Sequence, residues 1–361
     1  MTYRYGVLTM ADVNDYTLIN TVGQGVVYED LNMYLAQREA DLQQALGVFV
    51  EMQTELYTEN YKLPGGGRLQ RRGGQAQSAA VKGAGSWDTG YPLEDFGAQL
   101  AWTDRVLGYM SVREFNVHVQ TIEEQDRNTV RFELLKALFN DGGGSARTFV
   151  DPIHGSISVQ PLANGDATLY PPVLGSETEA TADHYAETGY ASASISDTNN
   201  PYKTIVAALT ARFGRATGGR NVVTFINPAE ETVTRNLSDF VPVEDRFIRS
   251  SALADIPQNL PSVPGEVIGR VSGTWVVVWD WIPANYLLAI HLEAAAPLKM
   301  RVDPATTGLV RGLHLAAMDE IYPFNMGHWS HAFGFGVGNR LNGYVLELGT
   351  GGTYTIPTAY A

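Results

Sequence analysis

The stretch "HAFGFGVGNRLNGYVLELG", His331 to Gly349, has the spacing most suggestive of a ligand site. Its glycines at 334, 336 and 338 resemble a phosphate cradle at first sight. A dinucleotide-binding turn needs G-x-G-x-x-G opening a helix, with an acidic residue about 20 positions further on. Here the glycines alternate, position 341 is Leu, and "YVLELG" runs with period two instead of opening a helix. A P-loop needs Gly-Lys-Ser/Thr, which is missing. The pattern predicts the start of a β-strand, with glycines on one face and Phe333, Phe335 and Val337 on the other. Glycine at alternate strand positions lets another backbone or a large side chain come close. Arg340 and Asn342 read as a polar interruption before "YVLEL" resumes the alternation.

His328 and His331 would share one face of a helix and could hold a metal there. Pro323, Gly327 and Gly334 argue against a helix, and no carboxylate stands at a ligating spacing. Packed or hydrogen-bonded imidazoles are expected, as they are for His118 and His314. The adjacent pairs Glu123-Glu124, Glu230-Glu231 and Asp319-Glu320 point apart on a helix or strand, so they make no acid–base dyad. Solvated faces are expected for them. The chain has no cysteine, which removes thiolate metal sites, Cys nucleophiles and disulfides. A G-x-S-x-G elbow is missing too. The sequence therefore predicts no enzyme, no cofactor and no bound metal.

The second chemically distinctive stretch is "KLPGGGRLQRRGGQAQSAAVKGAGSWDTG", residues 62–90. Lys62, Arg68, Arg71, Arg72 and Lys82 are opposed there only by Asp88. This is a basic island in a chain of formal net charge −14. So acidic a chain is a poor free-standing nucleic-acid binder, because that binding rests on neutralising phosphates. It can still enclose nucleic acid. A stretch this long without core-forming residues exceeds an ordinary connection. We read it as an extended hairpin whose arginines reach carboxylates on acidic neighbouring subunits.

The elements that position these stretches follow from periodicity. Val27, Leu31, Tyr34, Leu35, Leu42, Leu46, Phe49, Met52 and Leu56 recur at helical spacing, which predicts an amphipathic helix around 26–54, whole or broken. "LEDFGAQLAWTDRVLGYMSV" reads as a strand leading to a helix. Residues 111–139 carry the strongest helical pattern, opened by a Ser111/Glu114 capping box and stopped by "NDGGG". Such a helix is roughly 45 Å long. Its polar middle, "EEQDRN", suits a helix lying across a surface. Asn164-Gly165 signals a hairpin turn between "GSISVQPL" and "ATLYPPV". A helix is expected from Pro201 to Phe213, then a buried strand at Val222–Ile226 stopped by Pro228. Residues 264–293 read as successive strands turning at Ser272-Gly273 and Pro283-Ala284-Asn285, and "LKMRVD" as another strand.

The apolar runs are broken well short of the roughly 20 residues of a membrane span, so no membrane partner is expected. The first residues lack a basic segment followed by a long apolar run, so no signal peptide is expected. Met1 sets the expectation that no long N-terminal segment has been removed.

The order of these elements resembles one family, the major capsid proteins of tailed bacteriophages, whose fold is shared with encapsulins. "NPYKTIVAALTARFGRATGGRNVVTFINPAE" is similar to that family's axial helix, glycine turn and strand ending in Asn-Pro. "PGEVIGRVSGTWVVVWDWIPANYLLAI" is similar to its strand–turn–strand, and "HAFGFGVGNRLNGYVLELG" to its late aromatic-glycine strand followed by Arg. The resemblance implies an α+β capsid fold. Its parts are an N-terminal arm (1–54), an extended β-hairpin loop (55–100), a peripheral domain (101–145 and 296–361) with spine helix 111–139, and an axial domain (146–295). Residues 145–200 are longer than a bare version of the fold needs and are a candidate insertion.

The implied function is a self-assembling icosahedral shell of pentamers and hexamers around double-stranded DNA, in a virion assembled in the host cytoplasm. Its implied partners are other copies of the chain, then scaffold, portal and decoration proteins, with no sequence-specific DNA contact. The family's Lys–Asn crosslink is not implied: Lys62 and Lys82 lie in the right loop, but no matching Asn or assisting Glu is found. An encapsulin-like compartment is the alternative reading, and an α+β hydrolase the second.

Overall fold

The computed structural model describes residues 31, 33–35, 37–38, 42, 45–63, 85–165, 183–213, 222–243, 263–321 and 324–361. Along the chain come β1 (Val50–Thr54), β2 (Thr58–Leu63), β3 (Gly85–Gly90) and β4 (Glu94–Thr103). The short helix α1 (Asp104–Tyr109) leads into α2 (Val112–Phe139), followed by β5 (Arg147–Asp151), β6 (Gly155–Val159) and β7 (Tyr185–Glu187). Then come α3 (Pro201–Phe213), β8 (Val222–Ile226), α4 (Pro228–Arg235), β9 (Val241–Pro242), β10 (Glu266–Val271) and β11 (Thr274–Val278). The chain closes with β12 (Tyr286–His291), β13 (Leu298–Arg301), β14 (His314–Ile321), β15 (Phe324–Val337) and β16 (Tyr344–Glu347).

Two sheets and the long helix make the frame. One sheet runs β1-β13-β15-β14, with β4 also paired to β15; the other runs β7-β16-β12-β8-β11-β10-β9. Helix α2 starts as its sequence requires. The Ser111 hydroxyl accepts from the Glu114 amide at 3.3 Å, and the Glu114 carboxylate accepts from the Ser111 amide at 2.9 Å. It ends at Asn140, before three glycines at positive φ, Gly142, Gly143 and Gly144.

The polar middle of α2 divides the core. Val112, Phe115, Val119 and Ile122 pack with Leu31, Leu35 and Trp329. Val130, Leu134, Leu135, Leu138 and Phe139 enter a larger cluster that draws on both sheets. Strand β8, "VVTFI", is buried on both faces and so reads as a continuous apolar run. Val223 and Phe225 face the α2 side, while Val222 and Ile226 face the core under α3.

Several sequence expectations are corrected. The helix read over 26–54 does not reach 54, and residues 26–30 lie outside the described ones. Helical residues end at Leu46, Gly47 begins a turn, and Val50–Thr54 is a strand paired in parallel with β13. Gly47 is a weak helix former, and the backbone beyond it is drawn into the sheet ladder. Pro228 does not merely stop β8. It is the first residue of α4, where its missing N–H costs nothing, and the Asn227 side chain caps the helix by accepting from the Ala229 amide at 3.0 Å. Residues 155–159 pair backwards with β5. The hairpin expected across Asn164-Gly165 falls partly on residues 166–182, outside the described ones.

The carboxylate pairs are not all solvated. Glu230 is 1% exposed, and its Oε1 accepts from the Asn285 amide at 2.8 Å, bracing a turn in which Asn285 has φ +68. Burial raises the pKa of Glu230, and of Glu123 on α2. Glu124 and Asp319 are exposed, as expected.

His184 is fully buried, with Nδ1 at 2.6 Å from the Gly343 carbonyl. Burial, with a smaller contribution from Arg212, pushes its pKa down to about 3. An unfolded histidine protonates near pH 6.5, so the unfolded state binds the extra proton first as pH falls. Stability from this residue is therefore intact above about pH 6.5 and declines by up to about 1.4 kcal/mol per pH unit towards pH 3. Burial lowers the pKa of His291 as well, with the same sign. Urea midpoints measured from pH 7 to 4.5 are expected to fall, and to fall less steeply in His184→Gln.

A hairpin anchored on a glycine stripe

Strands β2 and β3 form an antiparallel ladder from Thr58↔Gly90 to Leu63↔Gly85. They are the two sides of the stretch read as an extended hairpin. Lys62 lies on β2 opposite Ser86 and is exposed. Arg68, Arg71, Arg72 and Lys82 lie outside the described residues. The base of the hairpin, at Gly90, Tyr91 and Pro92, crosses the glycine face of β15.

That crossing accounts for the alternating glycines. A Cβ on Gly336 would sit 2.6 Å from Tyr91 Cδ1 and 2.9 Å from the Gly90 carbonyl oxygen. One on Gly338 would sit 2.9 Å from the Tyr61 hydroxyl, and one on Gly334 would overlap the Pro92 carbonyl. On the other face Phe333, Phe335 and Val337 are buried in the main core. The faces are as the sequence predicts, but the position is not. "FGFGV" is the end of the 14-residue strand β15, not its start.

Strand β13, "LKMR", holds the hairpin from the side. Leu298 and Met300 enter the core; Lys299 and Arg301 alternate with them and are also buried. Lys299 Nζ lies 2.8 Å from Glu59 Oε2 on β2. The same oxygen accepts from the Tyr91 hydroxyl at 3.0 Å and the Tyr61 hydroxyl at 3.1 Å. Burial alone would raise the Glu59 carboxyl, but the bonds from Lys299, Tyr91 and Tyr61 outweigh it and its pKa lies below the usual value. Burial alone would lower Lys299, and Glu59 reverses the sign, leaving the ammonium above its usual pKa.

Arg301 Nη1 donates to Asp151 Oδ2 at 2.6 Å and to the Tyr91 carbonyl at 2.8 Å. Thr89 on β3 donates to the Val337 carbonyl at 3.0 Å. Trp87 on β3 stacks on Tyr61 at 5.4 Å, and the Arg340 guanidinium lies 5.7 Å from the Trp87 ring.

Arg340 and Asn342, the polar interruption, lie in the interior. Both are fully buried. Arg340 Nε donates to the Pro161 carbonyl at 2.8 Å. Asn342 accepts from the His291 amide at 2.9 Å and donates to the His291 and Ala295 carbonyls, which ties the β15–β16 connection to the end of β12. The histidines are packed or bonded, as expected. His331 is buried with Nδ1 at 2.6 Å from Asp126 on α2, and His328 pairs with Asp319 at 3.1 Å. His118 meets the Trp102 ring edge-on, and His314 bonds the Gly312 carbonyl. Among the described residues no three His, Asp or Glu side chains converge as metal ligands. The geometry fixes the base of the hairpin in place.

No family model matches the sequence, and no curated protein matches it. Solved structures do match in fold. A chain of Mycobacterium phage Patience agrees over 99% of this chain and 97% of its own, with TM-score 0.68 and 18% identity. The bacteriophage PhiM1 mature capsid agrees over 83% of this chain and 85% of its own, with TM-score 0.50 and 9% identity. The cyanophage A-1(L) capsid agrees over 86% and 93%, with TM-score 0.50 and 17% identity. The chain has the α+β fold of phage capsid subunits, as the sequence resemblance implied.

Proposed function

We propose that the chain is the major capsid protein of a tailed double-stranded DNA bacteriophage and acts by assembly, not catalysis. The observation that carries this reading is the end-to-end agreement in fold with a phage chain. A hairpin locked at its base by buried contacts adds support. In this reading pentamers and hexamers close into an icosahedral shell that encloses the genome without sequence-specific contact. Many individually weak contacts, each repeated around the shell, make it strong. The basic stretch from the end of β2 to β3 lies across an acidic neighbour, with Lys62, Arg68, Arg71, Arg72 and Lys82 supplying the cations.

The proposed division is arm 1–54, loop 55–100, peripheral domain 101–145 and 296–361, and axial domain 146–295, with 145–200 a candidate insertion. The five-stranded sheet suits the peripheral part, joined by β1 from the arm and β4 mostly from the loop segment, and the seven-stranded sheet suits the axial part, joined by β16 from the C-terminal segment. Scaffold, portal and decoration proteins are proposed partners, and the host cytoplasm the place of assembly.

Negative-stain microscopy of the purified full chain tests this. Closed shells are expected, and a small monodisperse species under assembly conditions would overturn it. The triple variant R68E/R71E/R72E is expected to keep its circular dichroism spectrum and lose at least tenfold in particle yield. Wild-type yield would remove the role given to the loop.

A further inference from the structure

The polar middle of α2, which separates the two halves of the core, borders a cleft of about 330 Å³. Leu35, Arg38, Leu42, Ala45 and Leu46 form its other wall. Leu42, Leu46, Phe49, Leu134 and Trp279 make it apolar, and Arg38, Arg127 and Arg131 line it with Glu123 and Asp126. Its volume lies at the low end of the about 300–1,000 Å³ typical of small-molecule sites, which pair apolar walls with a few convergent polar groups.

The charges in this cleft do not close among themselves. Arg38 lies 3.6 Å from Glu123, and Arg127 lies 3.4 Å from Glu124. Asp126 is taken by His331 at 2.6 Å. Arg131 is left over. Among the described residues it makes no ion pair and no hydrogen bond; its guanidinium carbon lies 6.0 Å from the centre of the Trp281 ring. It is half-buried, one turn of α2 from Arg127. Burial, then repulsion from Arg127, outweighs the attraction of Glu124 and holds its pKa below the usual arginine value. A half-buried guanidinium beside a second one, whose nearest acidic charge, Glu124, is already paired with Arg127, is an unfavourable arrangement that a carboxylate would relieve with two parallel hydrogen bonds.

We propose that this cleft binds a small amphiphile, an aliphatic chain ending in a carboxylate. The chain lies along Leu42, Leu46, Phe49 and Trp279, and the carboxylate pairs with Arg131. The site is independent of the capsid reading, since it rests only on the subunit's own side chains.

The test is titration calorimetry of the full chain with decanoate, and with decanol as the uncharged probe. Saturable binding of one decanoate per subunit is expected, at least tenfold tighter than decanol. Arg131→Met is expected to weaken decanoate at least tenfold and leave decanol unchanged. Ala45→Trp, which fills the cleft from an exposed wall position, is expected to weaken both. The proposal is overturned by wild-type protein that shows no saturable decanoate binding or binds decanol equally well. It is overturned equally if decanoate affinity survives unchanged in either variant.

Discussion

Asp151→Ala is expected to lower the subunit's unfolding free energy by about 3–5 kcal/mol, the usual loss when one member of a buried ion pair is removed. The Asp151 and Arg301 side chains are 2% and 3% exposed and meet at 2.6 Å. Arg301 is buried, so the variant leaves a guanidinium in the interior without its carboxylate. Asp151 Oδ1 also accepts from the Ile153 and His154 amides at 2.9 Å each, and that turn loses its cap. Against a typical total of about 5–15 kcal/mol, such a loss leaves the subunit marginal.

A second variant separates the charge from the cap. Asp151→Asn keeps an oxygen for the turn and removes the negative charge, and adding Arg301→Met removes the stranded cation. The double variant is expected to recover most of the loss, because replacing both partners of a buried pair costs far less than breaking it. Urea denaturation of the three variants measures this. A loss below about 1 kcal/mol in Asp151→Ala, or no recovery in the double variant, would show that the pair does not hold this region.

Gly336→Val is expected to displace the hairpin base and cost about 1–3 kcal/mol or more through overpacking. The Cβ alone meets a backbone oxygen, Gly90 O, at 2.9 Å and the Tyr91 ring at 2.6 Å. A side chain tip can turn away; a paired strand backbone has to move. Gly327, on the same strand, is the control. Its nearest neighbour would be Leu315 Cδ1 at 3.4 Å, the far end of a flexible side chain. Gly327→Ala is expected to be neutral to within about 0.5 kcal/mol. Urea midpoints and the near-ultraviolet signal of the Trp87–Tyr61 stack read out the difference. Equal behaviour of the two variants would mean that the glycine stripe is not a seat for the hairpin.

Local signals carried the sequence reading where chemistry is local. Helix α2 has its caps, its apolar stripe and its glycine stop written within thirty residues or so. The turns at Ser272-Gly273 and Asn285 lie where the glycine and asparagine stand, and φ is positive at all three. The glycine stripe was legible as a strand face with a close neighbour, but its length was hidden. The earlier half of β15 alternates too, with Trp329 and His331 buried, yet a histidine satisfied by Asp126 looks polar in sequence.

Polar residues in the core were missed for the same reason. Glu230 reads as a solvated carboxylate, and Arg340 and Asn342 as no more than a polar interruption, until their partners are known. The anchorage of the hairpin lay further out of reach. Lys299 and Glu59 are 240 residues apart, and Arg301 and Asp151 are 150 apart. No spacing rule links such pairs. The one available signal was the strict apolar–cation alternation of "LKMR", which says that both faces of that strand have work but not with whom.

Strand β13 therefore has little room for sequence drift. In most half-buried strands every second position faces water and tolerates substitution. Here Leu298 and Met300 are confined by the core, and Lys299 and Arg301 by carboxylates on other parts of the chain. An exchange at Lys299 or Arg301 strands a partner, so acceptable changes must come as coordinated pairs: residue 299 with 59, residue 301 with 151. Diverging relatives that keep this hairpin seat should carry these four positions as two linked couples, with variation spent in the exposed middle of β14, residues 316–319, and the β5–β6 turn instead.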